Sequence, residues 1–505
     1  MEASKKSSPL VSEGHARIIL GMKLRQLRTA RGLSLMQLGE MTGISVSYLN
    51  EIEKGKKFPK ADKISVLASK LDVSYDYLVS LKMNKQWAPI SEILQSRILK
   101  ELPLDLFGID KTQLILLLSQ APVKLNAFLN TIIEISRNHG MRVEHFYFSA
   151  LRSYLEMQDS YFEDIETSVD QFSKDNNFNP DEKIDIGKLI AVLEEKYHYH
   201  VEEDGLSSQP ELQDLRSVVL LGKKPRLLLN KNLNPTQKAF ILGREIGFQF
   251  MNITERSNTT SYVEVHSFEQ VLNNYKGSYF SCSLLLNRQK LVHWLQQFLQ
   301  RPKFDGAEII RAMDAYGVSP EIFTHRLTNL LPRFFGIQEL FFLRFSNEME
   351  TDHFELVKEM HLAGLHNPHA NMMQEHYCRR WVSINILRDL SKQIKSGTYD
   401  KPLCLAQRSR YFGNEKEYLI MSFAKPSMHG STINNSVTVG LLLTNQLKKK
   451  VAFWNDPAIP IRMVGETCER CPAADCRERV AAPRILQQDQ RIAVMKTALE
   501  SLSDK

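Results

Sequence analysis

Three cysteines, Cys468, Cys471 and Cys476, stand as C-x2-C-x4-C within nine residues. Two thiolates three residues apart fit one turn of chain around a metal, and the third closes a tripod. This spacing is poor for a disulfide framework and good for iron–sulfur or zinc ligation; reduced thiols without metal are the remaining state. Arg470, Arg477 and Arg479 flank the three and would favour thiolates and balance an anionic cluster. A fourth ligand could come from Cys378, Cys404, a histidine or an exogenous group, and the spacing does not choose among them. Cys282, in the apolar run FSCSLLL, reads as a small buried hydrophobe.

A second constellation lies mid-chain. NPTQKAFILGREIGFQF reads as a helix over residues 235–250, after a helix and strand in KIDIGKLIAVLEEKYHYHVEE and a β-hairpin in RSVVLLGKKPRLLLN. This order, with GREIGF on the helix, resembles the IrrE/ImmA-type metallopeptidase fold, whose helix carries His-Glu-x-x-His. In that motif two histidines at i and i+4 share one face and hold Zn2+ while the glutamate acts as general base. Here Arg244 and Phe248 stand at the two histidine positions, only Glu245 remains, and the acidic third ligand expected near Lys276 is missing. Arginine and phenylalanine cannot coordinate zinc, so no water is activated. The resemblance implies a degenerate zincin-like fold kept for binding, with no catalytic residues. His198 and His200, two apart on an expected strand and facing the same way, have no evident partner and read as surface or core histidines.

The N-terminal residues carry the charge. From His15 to Lys82 there are twelve Lys/Arg and six Asp/Glu, an excess of +6 in a chain whose net charge is +7. A small basic module on a near-neutral body is the electrostatic footprint of a nucleic-acid binder. Five short helices are expected. Ile19, Leu20, Leu24 and Leu27 line the first, which Gly32 ends; Ser34 caps the second, with Leu35, Leu38 and Met41 inward and Gly43 as its stop. Ser45 caps the third, with Leu49 and Ile52 inward; a fourth follows Pro59, and Tyr77 and Leu78 begin the fifth. The string from Leu35 to Pro59 resembles the helix-turn-helix of the phage-repressor-like (Xre) family. Gly39 allows close helix approach, Gly43 turns the chain and Ile44 plugs the core. By motif position, Ser45 opens the recognition helix, Val46, Ser47, Tyr48 and Glu51 face bases with Asn50 beside them, and Arg28, Lys54, Lys56 and Lys57 are placed for phosphates. One departure is Leu35, where the family usually has a Gln that buttresses a phosphate contact.

The whole chain, at 505 residues, is long enough for about three to five folded units. Its 43% hydrophobic and 24% charged residues argue against disorder, and no run of about 18 apolar residues reads as a membrane span. No secretory signal is read at the start, and few cysteines point to a reducing cytoplasm. Residues 276 to 345 contain YKGSYFSCSLLL, a single helix IIRAMDAYGVSPEIFTHRLTNL and a strand LFFLRFS, and residues 401 to 455 read as four strands with turns between them: KPLCLAQRSRYF, EYLIMSFAKP, NSVTVGLLLT and KKVAFW. The combination of SYFS, YGVSPEIFTHRLTNL (one helix), FFLRFSN, HYCRRW and GETCERCPAADCRERVAAP resembles bacterial short-chain fatty-acid-type transcriptional regulators. That resemblance implies an Xre module before a degenerate peptidase-like domain, a [4Fe–4S] cluster on the cysteine segment, and acyl-coenzyme A binding nearby. Arg408 and Arg410 could meet coenzyme A phosphates, although strand-face arginines are the simpler reading.

The expected architecture is multidomain α+β: an all-α helix-turn-helix at 15–82, a helical connector at 83–180 suited to dimerisation, a degenerate zincin-like domain at 181–300, and an α+β sensor region with antiparallel sheet at 301–490. The expected function is a cytoplasmic reader of double-stranded DNA that senses an acyl-CoA or related metabolite and is not an enzyme; a homodimer is expected because one module reads only half a site. The alternatives are a protease that cleaves a regulatory protein, and an iron–sulfur redox sensor with no small-molecule ligand.

Overall fold

The computed structural model describes residues 13–80, 143–180, 182–213, 215–260, 265, 267–361, 374–413, 416–427 and 432–503. Much of the expected connector, including the apolar runs at 104–117 and 125–135, lies outside them. The chain forms two compact units, residues 1–147 and 148–505.

Residues 13–80 of the first unit form five helices: α1 (Glu13–Ala30), α2 (Leu35–Thr42), α3 (Val46–Glu53), α4 (Ala61–Lys70) and α5 (Tyr75–Val79). Leu20, Leu24, Leu38, Ile44, Leu49, Ile52, Ile64, Leu67, Leu71 and Leu78 form its core. Ser34 caps α2 in a capping box with Gln37, and Gly43 ends it in the left-handed region at φ 69°. Gly39 sits so close to α3 that a Cβ there would lie 2.9 Å from the Ile44 carbonyl oxygen. Met41, expected inward, is 42% exposed. The buried residues of α2 are instead Leu38 and Gly39, with Leu35 three residues before Leu38 and Thr42 four after it half-buried, because the close approach at Gly39 draws α3 to that side.

The second unit holds two sheets. β1 (His200–Glu202), β3 (Arg226–Leu229) and β2 (Ser217–Leu220) lie in the order β1-β3-β2, with β1 parallel and β2 antiparallel to β3. The larger sheet has the order β5-β4-β8-β7-β6-β9, from β4 (Leu340–Glu348), β5 (Phe354–His361), β6 (Leu403–Tyr411), β7 (Glu417–Pro426), β8 (Ile433–Leu442) and β9 (Ile461–Val464). Its pairings are antiparallel except β6 with β9. The helices used below are α6 (Glu163–Asp175), α7 (Pro235–Phe250), α8 (Phe268–Leu285), α9 (Gly306–Tyr316), α10 (Pro320–Phe335), α11 (Val382–Lys395) and α12 (Arg484–Ser503).

Three expectations change. KKVAFW is not a strand: Thr444 caps a short helix, Asn445–Lys450, and Ala452–Asn455 is a 3-10 turn that buries Phe453. Its apolar alternation belongs to that turn. The helix expected through YGVSPEIFTHRLTNL is two helices, because Gly317 stops α9 at φ 69° and Ser319 caps α10 ahead of Pro320. Finally, one hydrophobic core runs from Leu155 through Phe172, Leu242, Phe280 and Leu330 to Ile459. The segments 181–300 and 301–490 therefore share a core instead of dividing at residue 300, and α6, placed by sequence in the connector, contributes Ile165, Val169 and Phe172 to it.

Candidate functional site

In the first unit, Leu49 and Ile52 anchor α3 in the core. Its opposite face presents Val46, 44% exposed, and Ser47, with Tyr48, Asn50 and Glu51 half-buried beside them. Ser45 accepts the Tyr48 N–H at 3.3 Å as N-cap, so its hydroxyl orders the first turn of this helix. Lys63 stacks over the Tyr48 ring at 4.5 Å. Lys54, Lys56 and Lys57 are exposed just past the helix end. Arg28 departs from its expected place at a phosphate. Its guanidinium donates to both Glu53 oxygens, at 2.6 and 2.9 Å, and to the Leu33 carbonyl at 2.7 Å, so it ties α1 to α3 inside the fold. Sequence reasoning also missed Lys23, a buried cation whose ammonium donates to the Tyr77 and Ser80 carbonyls at 2.7 and 2.6 Å and satisfies the C-terminal end of α5.

In the second unit, Arg244, Glu245 and Phe248 are all buried on α7. Glu245 accepts the Tyr199 hydroxyl at 2.9 Å, and both its oxygens are held by Arg256, whose guanidinium lies 4.5 Å from the centre of the Phe248 ring. A cation thus sits against the buried Glu245 carboxylate. Phe248 also fills the space left by Gly277 on α8, where a Cβ would clash with its ring. His198 and His200 are exposed; His198 adopts φ 59° and lies outside the strand, so the two do not share a strand face as expected.

The cysteines separate into two places. Cys378 is buried and interacts electrostatically with Cys471 and Cys468. Burial pushes its thiol up to about 11, the two neighbouring thiols add to this, and the N–H groups of Arg380 and Gly465 oppose it by donating to the sulfur. The segments are stitched by the Cys378 N–H to the Glu466 carbonyl at 3.0 Å and the Cys468 N–H to the His376 carbonyl at 2.8 Å. Gly465 leaves room beside Cys471, since a Cβ there would meet its sulfur at 3.0 Å. Arg479 donates to the carbonyls of Cys468, Cys471 and Ala473, at 2.7, 3.0 and 2.5 Å, folding the loop that carries Cys476. Arg470 is paired with the buried Glu375 at 2.7 Å. Among the described residues, no three His, Cys, Asp or Glu side chains converge closely enough to hold an ion as they stand. Cys404 lies elsewhere, against Gly306, in the lining of a cavity of about 650 Å³ beside Arg388, Lys392 and Arg462.

Arg408 is occupied by Glu417 at 2.7 Å, Asn455 at 2.6 Å and the Trp454 ring, and Arg410 reaches the same Glu417 at 3.2 Å. A different cationic group went unnoticed in the sequence. Arg344 and Lys358 face each other directly across the β4–β5 ladder, where the register shifts after Arg344. Like charges in opposed positions are unfavourable, and an irregularity of register re-aims side chains next to sites. Arg216 and Lys425 act electrostatically on the same carboxylate, Glu321, which is 3.2 Å from Arg344. Burial would raise the Glu321 carboxyl, but Arg344, Arg216 and Lys358 hold it well below the usual range. His325, stacked on Phe342 and 2.8 Å from the Lys358 ammonium, is held down at about 3 by burial and then by Lys358, so it is neutral. Lys425 and Arg216 are half-buried, and partial desolvation lowers both, whereas Lys358 is exposed. Four cations thus share one carboxylate and a neutral imidazole, the electrostatics of an anion site. The signal is invisible in sequence because strand pairing and α10 bring these residues together from separate segments.

A helix-turn-helix family model matches residues 24–78. The chain is 44% identical over 59 residues to the uncharacterized HTH-type transcriptional regulator YobD of Bacillus subtilis (strain 168), covering 12% of this chain and 53% of that protein. It is 43% identical over 61 residues to RghRB, another HTH-type regulator of the same organism, covering 12% of this chain and 44% of that one. The chain thus spans about half the length of the curated relatives it matches. A solved Mycobacterium tuberculosis transcriptional regulator aligns over 66% of this chain and 94% of its own, at 15% identity and a TM-score of 0.45, a likeness too weak to carry an argument. The N-terminal module is a helix-turn-helix domain. No helix among the described residues is long and apolar enough to cross a membrane.

Proposed function

We propose that this chain is a cytoplasmic, DNA-binding transcriptional regulator whose second unit senses an anionic metabolite of the acyl-CoA or short-chain fatty-acid type and carries an iron–sulfur cluster. The observation that carries the DNA reading is the face of α3, capped by Ser45, with Val46 and Ser47 exposed at its first turn and Lys54, Lys56 and Lys57 beyond its last. An exposed first turn suits base edges in a major groove, and the three lysines suit flanking phosphates. A mobility-shift assay on the protein's own promoter tests it. Ser47→Ala should relax sequence preference, and Lys56→Ala should weaken binding to all DNA and reduce the salt dependence by about one counterion. Wild-type binding no stronger than to random DNA would sink the reading.

The metabolite reading is supported by Arg216, Arg344, Lys358 and Lys425 around Glu321, a set suited to phosphate groups. Acyl-CoAs should raise the melting temperature of the protein by mass action, and Arg344→Ala should abolish the shift; a flat response across chain lengths removes this ligand class. For the cluster, Cys378, Cys468, Cys471 and Cys476 are the residues that would hold it, with the Arg380 and Gly465 N–H groups donating to the Cys378 sulfur. When bound it would supply one-electron redox chemistry tuned by those hydrogen bonds. Anaerobic purification should give a brown protein whose visible absorption is lost in Cys471→Ser. A colourless, zinc-loaded protein would replace this reading with a structural zinc site. A hydrolytic role is disfavoured, because Arg256 and Tyr199 occupy the carboxylate of Glu245.

A further inference from the structure

Among the described residues, helix α12 is tied to the rest of its unit at its start. Arg484 donates to the Gln374 carbonyl at 2.9 Å, Ile485 and Leu486 are half-buried, and every residue from Gln487 to Leu502 is exposed. At 1.5 Å per residue the helix is about 30 Å long. Its sequence places Ile485, Gln488, Ile492, Met495, Leu499 and Leu502 at alternating spacings of three and four, the a and d positions of three heptads. Met495, Leu499 and Leu502 are 55%, 63% and 68% exposed. A strip of this periodicity on an exposed helix face suits the seam of a helix pair, since packing of such a face supplies most of a helix's stability.

The charges beside the seam select the occupant. Asp489 and Lys496 are the two charged residues at e positions, and Arg491 lies at a g position. Laid antiparallel on its own copy, Ile492 meets the partner's Met495, Gln488 meets the partner's Leu499, and Ile485 meets the partner's Leu502. In that register Asp489 lies beside the partner's Lys496, twice over by symmetry, and Arg491 meets only the partner's Ala498. A parallel pair would set Arg491 against the partner's Lys496. The compensating contact, Arg484 with the partner's Asp489, would draw on a guanidinium already held by Gln374. A strip complementary to its own reverse is what a two-fold interface requires. We propose that α12 pairs antiparallel with α12 of a second copy of this chain, forming a two-helix coiled coil that makes the protein a homodimer.

Sedimentation equilibrium of the full chain tests the pairing. Asp489→Lys and Lys496→Asp should each weaken self-association about tenfold, by turning two attractive pairs into two repulsive ones. An equimolar mixture of the two variants should regain the wild-type affinity, because each then offers the charge the other lacks. Met495→Glu should weaken the dimer further and should not be rescued by mixing. All are exposed positions, so an unchanged melting profile of the isolated chains excludes misfolding. Strengthening by Lys496→Asp would establish parallel pairing and overturn the proposal, as would a wild-type monomer or a dimer whose dissociation constant is unmoved by either charge swap.

Discussion

Glu245 and Arg256 form a buried ion pair, each side chain 2% exposed, with Tyr199 completing the carboxylate's hydrogen bonds. Desolvating both charges is costly, and removing one partner strands the other. Arg256→Met should therefore cost about 3–5 kcal/mol by denaturant unfolding. The double substitution Glu245→Gln with Arg256→Met should recover much of that loss; equal destabilisation by single and double variants would show that the pair is not coupled. A second residue prediction concerns Asp305, the N-cap of α9. The Glu308 N–H donates to its carboxylate at 3.0 Å, which holds its pKa below the usual range despite partial burial, and Arg311 adds to this. Because the folded-state pKa is depressed, the stabilisation is present above the unfolded pKa of about 4 and is lost as pH falls through the lower folded value. Asp305→Ala should cost about 1 kcal/mol near neutrality. Asp305→Asn should retain most of the cap while flattening the acid limb of the melting-temperature profile.

Among elements, α3 is approached closely by α1 at Gly21 as it is by α2 at Gly39. A Cβ at Gly21 would collide with the Ile52 carbonyl oxygen on α3. Backbone cannot yield as a side-chain tip does, so Gly21→Val should destabilise the first unit by about 1–3 kcal/mol or more and weaken operator binding, although Gly21 touches no nucleic-acid-facing residue. Circular dichroism melts and mobility shifts on the same variant check both effects; binding unaffected at a wild-type melting temperature would refute the argument. Periodicity and caps made most of these helices legible: α7 begins at Pro235 and ends at Phe250, the span its pattern predicts. Periodicity misled where a short element imitated another, as in KKVAFW, whose buried Phe453 and Val451 belong to a turn.

For the molecule, the shared core of the second unit has a measurable consequence. Leu330 on α10 is fully buried in a cluster that includes Leu242 on α7 and Val439 on β8. Leu330→Ala should cost about 2–5 kcal/mol, and that loss should lower one cooperative transition reported by probes on either side of residue 300. Two transitions, only one of them shifted, would restore the division at that residue. Sequence alone settled what depends on near neighbours along the chain: the capped helices and tight turns of the helix-turn-helix, the C-x2-C-x4-C spacing, and the helix that carries Arg244 and Phe248. Those features are local in sequence because a cap, a turn or a helix face is built within a few residues. Only the tertiary structure decided that Cys378, not Cys404, neighbours Cys468 and Cys471, that Arg28 serves Glu53, and that Arg344 and Lys358 confront each other over Glu321. Such partners are chosen by strand pairing and core packing between distant segments, and one-dimensional spacing carries no record of which segments those forces bring together.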